Sequence, residues 1–317
     1  MAKSVEAVGI GVDVSRAELC ICRQDSTGVQ VVRNERAAIR EWLGSLQGPV
    51  RLAVEATNTY HVALVEEAHR CGHTVYVIDG YRLSRYRDSI GGRAKTDRSD
   101  AELLLRYLLR EWHELRAWSP PPAGYAELSR LLHRRATLVQ AGQRLRQSLA
   151  DVPELKAASR ALLTQLAQLD RLMQRRIAKL LEQSDSAIDA RRCQAVEGIG
   201  PLTSAALANA FRRGRFSSSD AFVAFLGLDV RVRDSGTCKG RRRLTKQGDP
   251  ELRRLLHNAA MAARRTARWQ AFYQRYIQRG LKSTQVLVIL ARKLARIAFA
   301  LMKNQSDYQP ALIASPA

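Results

Sequence analysis

Five short β-rich runs in the first eighty residues, the first three unbroken by a helix, constrain this chain more than any other feature. Residues 8–14 (VGIGVDV) form a short apolar run ending in an acid, residues 18–24 (ELCICRQ) alternate, and residues 28–33 (GVQVVR) follow a turn containing Thr27 and Gly28. Alternation with period two between turn residues is a strand pattern, so the chain should open with three consecutive strands joined by tight turns. A helix over about 35–47 is expected next, then an apolar strand at 50–54 (VRLAV) running into Glu55. A helix over roughly 60–72 and a strand at 73–78 (HTVYVI), closed by Asp79-Gly80, complete the series. From residue 97 onward the pattern turns helical.

The order βββαβαβ followed by helices is that of an RNase H-like α/β sheet: a three-strand meander, then crossover helices feeding parallel strands. A dinucleotide-binding sheet would alternate strand and helix from the start and carry a glycine-rich turn after its first strand, and neither is present.

Between about 125 and 185 the composition shifts to helix formers. Leu131, Leu138 and Leu145 recur every seven residues, and Leu162, Leu166, Leu169, Met173 and Leu180 continue a three-to-four spacing beyond a break at Asp151-Val152-Pro153. This predicts an antiparallel coiled-coil hairpin whose outer faces carry many arginines. From 190 to the end the chain reads as helical with one basic, glycine-containing loop at about 229–250. EGIGPLTSAALANA (197–210) has the small-residue turn of a helix-hairpin-helix, whose amides can meet a phosphate. Residues 282–303 read as one long helix, apolar on one side and basic on the other. The expected organisation is an RNase H-like α/β domain at 1–122, a hairpin at 123–188 and a mainly α-helical domain at 189–317.

Among its 317 residues, 52 Lys and Arg stand against 30 Asp and Glu, a net charge of +22. Such an excess repels itself in a compact fold and commonly exists because a polyanion neutralises it. Nucleic acid is the leading partner, since each phosphate contact releases counterions; charge alone also fits a ribosomal or membrane-surface protein. Five cysteines without a CxxC pair argue against a disulfide framework or zinc site and fit a reducing cytoplasm. Cys20 and Cys22 read as small apolar residues on one strand face. No signal peptide is evident, and no uninterrupted apolar stretch reaches the length of a membrane span.

Four acids fall where a two-metal nuclease of this fold needs them. Asp13 ends the first strand and Glu55 the fourth, and these strands are neighbours in the expected sheet. Asp97 and Asp100, three apart at a helix start, share a face. Four hard oxygen donors suit Mg²⁺ or Mn²⁺, which can activate an attacking oxygen and stabilise a leaving one during phosphodiester displacement. Singly, each acid reads better as a turn residue or an acid favoured by a helix dipole; the constellation, beside Lys95 and Arg98, makes the case. The six histidines match no metal-ligand spacing.

These residues resemble the DEDD-type transposases of bacterial insertion sequences, which are related to Piv invertases and more distantly to RuvC resolvases. The matching pieces are GIGVDVSRAEL (9–19), EATNTYH (55–61), AKTDRSDAELL (94–104), GIGPLTSAAL (198–207), FLGLDVRVRDSGTCKGRRRLTKQGDPELRRLLHNAA (225–260) and VLVILARKLARIAFALMK (286–303). The resemblance implies that Asp13, Glu55, Asp97 and Asp100 bind metal, and that Ser235 attacks DNA to form a phosphoserine link. It implies a RuvC-like domain, a helical hairpin and a mainly helical transposase domain, working as a homodimer or homotetramer on element-end and target DNA. Some members are guided by a structured RNA. Asn58 stands where the family commonly has glycine, Gly80 and Val230 where it has proline, and Arg16 where it has lysine.

Taken on its own, Ser235 is a weak nucleophile that needs a base or a metal, and without the resemblance Asp234-Ser235-Gly236 reads better as a turn in a DNA-binding loop. Arg231, Arg233, Lys239, Arg241, Arg242, Arg243 and Lys246 surround it in sequence and suit phosphate binding. Ser217–Ser219 read as a helix N-cap, and Tyr60 as a packing residue. A resolvase-like metal nuclease and a non-catalytic nucleic-acid-binding regulator remain alternative readings.

Overall fold

The computed structural model describes residues 7–91, 96–231, 234–235, 238–240 and 242–310. They form two compact units, Met1–Pro120 and Pro121–Ala317.

The first unit follows the expected order. Strands β1 (Gly9–Val14), β2 (Glu18–Arg23) and β3 (Val29–Arg33) form the antiparallel meander. Helix α1 (Arg36–Gly44), strand β4 (Arg51–Glu55), helix α2 (Val62–Arg70) and strand β5 (Thr74–Ile78) follow. The sheet order is β3-β2-β1-β4-β5, with β4 parallel to both β1 and β5. This is the RNase H-like sheet.

Alternation sorts the strand residues onto two faces. Ile10, Val12, Val14, Leu52 and Val54 share a core with Ile39, Trp42 and Leu43 of α1 and Leu64, Val65 and Ala68 of α2. The opposite face carries Gly9, Gly11 and Asp13 on β1 and Ala53 and Glu55 on β4. It is covered by α3 (Gly80–Ser89) and α4 (Asp97–Glu111), with Ala53, Ile78, Leu83, Leu104 and Leu108 in its core. Helix α3 was not expected. Asp79, read as part of a closing turn, is its N-cap, its carboxylate accepting from the Arg82 N–H at 3.1 Å.

In the second unit, α5 (Tyr125–Ser148) and α6 (Lys156–Glu182) make the antiparallel hairpin. The expected seam needs a correction on α6. Leu162 and Leu169 are exposed, while Leu163 and Leu166 lie against Gly142 of α5, where an added Cβ would stand 3.6 Å from Leu166. Leu162 and Leu163 both stand three or four residues before Leu166, so spacing alone does not choose between them, and the structure turns Leu163 toward α5. At its base, Leu128, Leu132, Ile177 and Leu181 enter one continuous core with α7 (Ala187–Gln194), α8 (Pro201–Arg213), α9 (Ser219–Phe225), α10 (Pro250–Ala263), α11 (Ala267–Gln278) and α12 (Ser283–Asn304).

The GIGP turn joins α7 to α8. Gly198 has φ +92°, and a Cβ there would stand 2.4 Å from the Ala259 carbonyl oxygen, so this glycine serves close packing on α10. Ser218 caps α9, its hydroxyl accepting from the Ala221 N–H. Among the described residues, no helix is long and apolar enough to cross a membrane.

Candidate active site

Register places the first two acids. Val12 pairs with Val54 in the parallel β1–β4 ladder, so Asp13 and Glu55 are the next residues of two adjacent strands, at their carboxyl ends. That is the end at which open α/β sheets hold their ligands.

Helix α4 brings the other two. A Cβ on Gly11 would stand 2.2 Å from the Ala101 carbonyl oxygen and 2.4 Å from the Leu105 nitrogen, and one on Gly9 would stand 2.9 Å from Leu109 Cδ2. Stepping up β1 from Gly9 to Gly11 therefore steps back along α4 by about one turn. Two strand residues advance about 6.6 Å and four helix residues about 6 Å, so the two elements stay in step. The next step brings Asp13 to the first turn of α4, where Asp97 and Asp100 lie. Thr96 and Ser99 start that helix with a reciprocal capping box, Thr96 Oγ1 accepting from the Ser99 N–H at 3.1 Å and Ser99 Oγ from the Thr96 N–H at 2.8 Å. Without a side chain at position 11, the helix lies directly on the strand.

The electrostatics record the convergence. Asp13 is half-buried, and its carboxyl is pushed up to about 6, first by burial and then by the negative charges of Asp100, Asp97 and Glu55. Opposite Asp13 on β2 lies Cys20, whose thiol is raised by burial and by Asp13 and Asp97. Cys20 is buried and Cys22 half-buried, and both are free thiols, as packing residues should be.

Among the described residues, no three Asp, Glu, His or Cys side chains close into a ready-made metal cage. Asp97 is exposed. Asp100 is only 5% exposed, and its Oδ1 accepts from Arg87 Nη2 of α3 at 2.6 Å. The donor set nevertheless fits a hard divalent cation: four carboxylates whose mutual repulsion a cation relieves, on backbone elements held in fixed register.

Around the acids, Asn34 Nδ2 donates to the Ser15 carbonyl at 2.8 Å and to the Tyr60 carbonyl at 3.1 Å, tying together the loops that follow β1 and β4. Tyr60 packs against the sheet core. Asn58 has φ +46°, a conformation that glycine adopts without strain and asparagine tolerates. Gly80 opens α3, where a Cβ would stand 2.5 Å from Glu55 Oε1. Arg87 is the neighbour that sequence reasoning missed, because it lies on the unexpected helix; Gly80, noted in the sequence as a departure from the family's proline, lies on the same helix.

The serine segment belongs to the second unit. Strands β6 (Val230–Arg231), β7 (Asp234–Ser235), β8 (Cys238–Lys239) and β9 (Arg243–Leu244) form two nested antiparallel pairs, with Arg231 opposite Arg243 and Ser235 opposite Cys238. Arg231, Arg242, Arg243 and Lys246 are exposed, and Lys246 has φ +58°. The side chains of Ser235 and Lys239, and the whole of Lys95, Arg233 and Arg241, lie outside the described residues. Arg98 is exposed, but its guanidinium pairs with Glu102 at 2.9 Å.

Two family models match this chain: one described as transposase, of the DEDD type, over residues 10–155, and one described as transposase IS116/IS110/IS902 family over residues 190–274. Together they cover well over half of it. The chain belongs to this insertion-sequence transposase family. The transposase is 29% identical to a Pseudomonas aeruginosa protein named "Probable family 20 transposase", over 94% of each chain. It is 27% identical to the pilin gene-inverting protein of Moraxella bovis over 82% of each. A Thermus thermophilus RuvC in complex with a Holliday junction substrate aligns with 36% of the transposase and all of its own chain, at 14% identity and a TM-score of 0.27.

Proposed function

We propose that this transposase cuts and rejoins DNA at insertion-element ends and targets, through a divalent-metal site made by Asp13, Glu55, Asp97 and Asp100 and a nucleophilic serine at position 235. The observation that carries the reading is the placement of Asp13 and Glu55 at the carboxyl ends of adjacent parallel strands, under the acidic first turn of α4. Mg²⁺ or Mn²⁺ bound there would supply Lewis-acid stabilisation of charge on the phosphate oxygens.

The chain's own residues do the rest. Ser235 Oγ forms an ester bond to the scissile phosphorus while one strand oxygen departs as a hydroxyl. A hydroxyl of the strand to be joined then displaces the serine. One phosphoester is exchanged for another at each step, so no external energy source is needed. Arg231, Arg242, Arg243 and Lys246 suit the neighbouring phosphates as exposed cations on the ribbon that carries Ser235. A structured guide RNA would be a further polyanionic partner for the same charge excess. If RNA pairing reads the target, the protein need carry no base code.

The test is to incubate the protein with Mg²⁺, its candidate guide RNA and end-labelled element-junction DNA, then look for label on denatured protein. Ser235→Ala and Asp13→Ala run in parallel. The expected result is a covalent adduct lost in both variants. Cleavage that persists in Ser235→Ala without an adduct overturns the serine mechanism and favours a resolvase-like hydrolase.

A further inference from the structure

Helix α3 bears on two of the four acids at once. Its first residue, Gly80, leaves room for the Glu55 carboxylate, which a Cβ would meet at 2.5 Å. About two turns later, Arg87 reaches the first turn of α4 and donates from Nη2 to Asp100 Oδ1 at 2.6 Å. Both partners are well removed from water, with side chains 18% and 8% exposed.

The helix that carries Arg87 is firmly seated. Leu83 is 1% exposed in the core with Leu104 and Leu108 of α4, and Tyr86 packs edge-on against Tyr107 with ring centroids 4.9 Å apart. Arg82 and Arg85, on the same helix, are exposed. Arg87 is thus the arginine of α3 that is committed inward.

We infer that Arg87 is a positioning residue for the metal site: it holds Asp100 by one carboxylate oxygen and leaves the other for the cation. This rests on the reading of the four acids as a metal site. A buried carboxylate near another acid, as Asp100 is near Asp13, is disfavoured without a countercharge. Arg87 supplies that countercharge from α3, so Asp100 keeps its place before the cation arrives. Asp100 Oδ2 accepts no hydrogen bond among the described residues, which leaves an oxygen to donate. Partners that orient ligating carboxylates commonly contribute about 10–100-fold in metal affinity.

The opposing possibility is that Arg87 competes with the cation for Asp100. The two give opposite signs. Full-length wild type, Arg87→Lys, Arg87→Gln and Asp13→Asn would be titrated with Mn²⁺ alone, without DNA. Free ion is read from its electron paramagnetic resonance signal, and fold from circular dichroism. Positioning requires affinity to fall in the order wild type, Arg87→Lys, Arg87→Gln, with the last about 10–100-fold weaker. The lysine variant keeps the charge but lacks the planar guanidinium that orients the carboxylate. Should the glutamine variant fail to fold, the comparison of wild type with Arg87→Lys decides.

Equal or tighter Mn²⁺ binding in the Arg87 variants overturns the inference while leaving the metal site intact, provided Asp13→Asn has lost binding. Absence of Mn²⁺ binding in the wild type removes the metal site itself, and this inference with it.

Discussion

Replacing Asp13 by Asn removes one of four clustered negative charges while keeping the side chain's shape and an oxygen that can still accept from the Val14 N–H. In the folded chain the Asp13 carboxyl is raised from 3.8 to about 6. A shift of roughly two units corresponds to about 3 kcal/mol of unfavourable interaction in the ionised state. The side chain is partly open to water, so solvent screening reduces this to about 1–2 kcal/mol.

The sign follows from linkage. Below about pH 4 the carboxyl is protonated in both folded and unfolded chains, and no penalty exists. Between about pH 4 and 6 the folded chain holds the proton longer, so folding stability falls as pH rises. Above pH 6 the full penalty applies. Asp13→Asn should therefore raise the thermal midpoint in EDTA at pH 7.5 by roughly 2–8 °C, at about 2–4 °C per kcal/mol, and the gain should vanish near pH 4. Saturating Mg²⁺ should reverse the order. At a hundred times its Kd the ion stabilises the wild type by about 2.7 kcal/mol, and the variant, short of a ligand, gains much less. Differential scanning calorimetry in EDTA and in Mg²⁺ reads both signs. A variant less stable than wild type in EDTA at pH 7.5 would refute the clustering of the four acids.

Gly11→Ala should destabilise the first unit by about 1–3 kcal/mol, because its Cβ meets the α4 backbone at Ala101 and Leu105; urea unfolding checks this, and an unchanged midpoint would contradict the close helix–strand approach. Glu67 accepts from Arg36, Arg40 and Arg70 and is held down at about 2, foremost by the Arg40 hydrogen bond. Its contribution is full above about pH 4.5 and fades as pH falls toward 2, so Glu67→Gln should lower the urea midpoint at pH 7 and have little effect at pH 2. Replacing both Arg231 and Arg243 by Gln should weaken DNA binding uniformly across sequences and reduce the slope of log K against log salt by about 0.9 for each phosphate no longer neutralised; filter binding at several salt concentrations measures it.

How much of the fold and site was legible in the sequence depended on side-chain patterning. The apolar runs at 9–14 and 51–55 and the alternating run at 18–23 stand out between turn residues, so their order, and with it the adjacency of Asp13 and Glu55, followed from the sequence. Helix α3 was illegible because GYRLSRYRDS buries a single residue, Leu83, and so carries no apolar stripe. With that helix went Arg87 and the approach of Gly80 to Glu55. Arg98 reads in sequence as an available cation, yet Glu102 lies one turn on and takes it. The nested pairs around Ser235 are two residues long on every strand, too short for alternation to mark them. Gly11 carried a signal that could have been used: a glycine inside a strand pattern points to close backbone approach, here the approach of α4.

The central claim is that the four acids share a cation, and anomalous scattering from crystals grown with Mn²⁺ tests it most directly. The expected result is a Mn²⁺ peak bounded by Asp13 and Glu55 at the strand ends and by Asp97 and Asp100 of α4, absent from Asp13→Asn crystals grown alike. A Mn²⁺-saturated crystal with no peak there, or with its peak at other acids, would contradict the account.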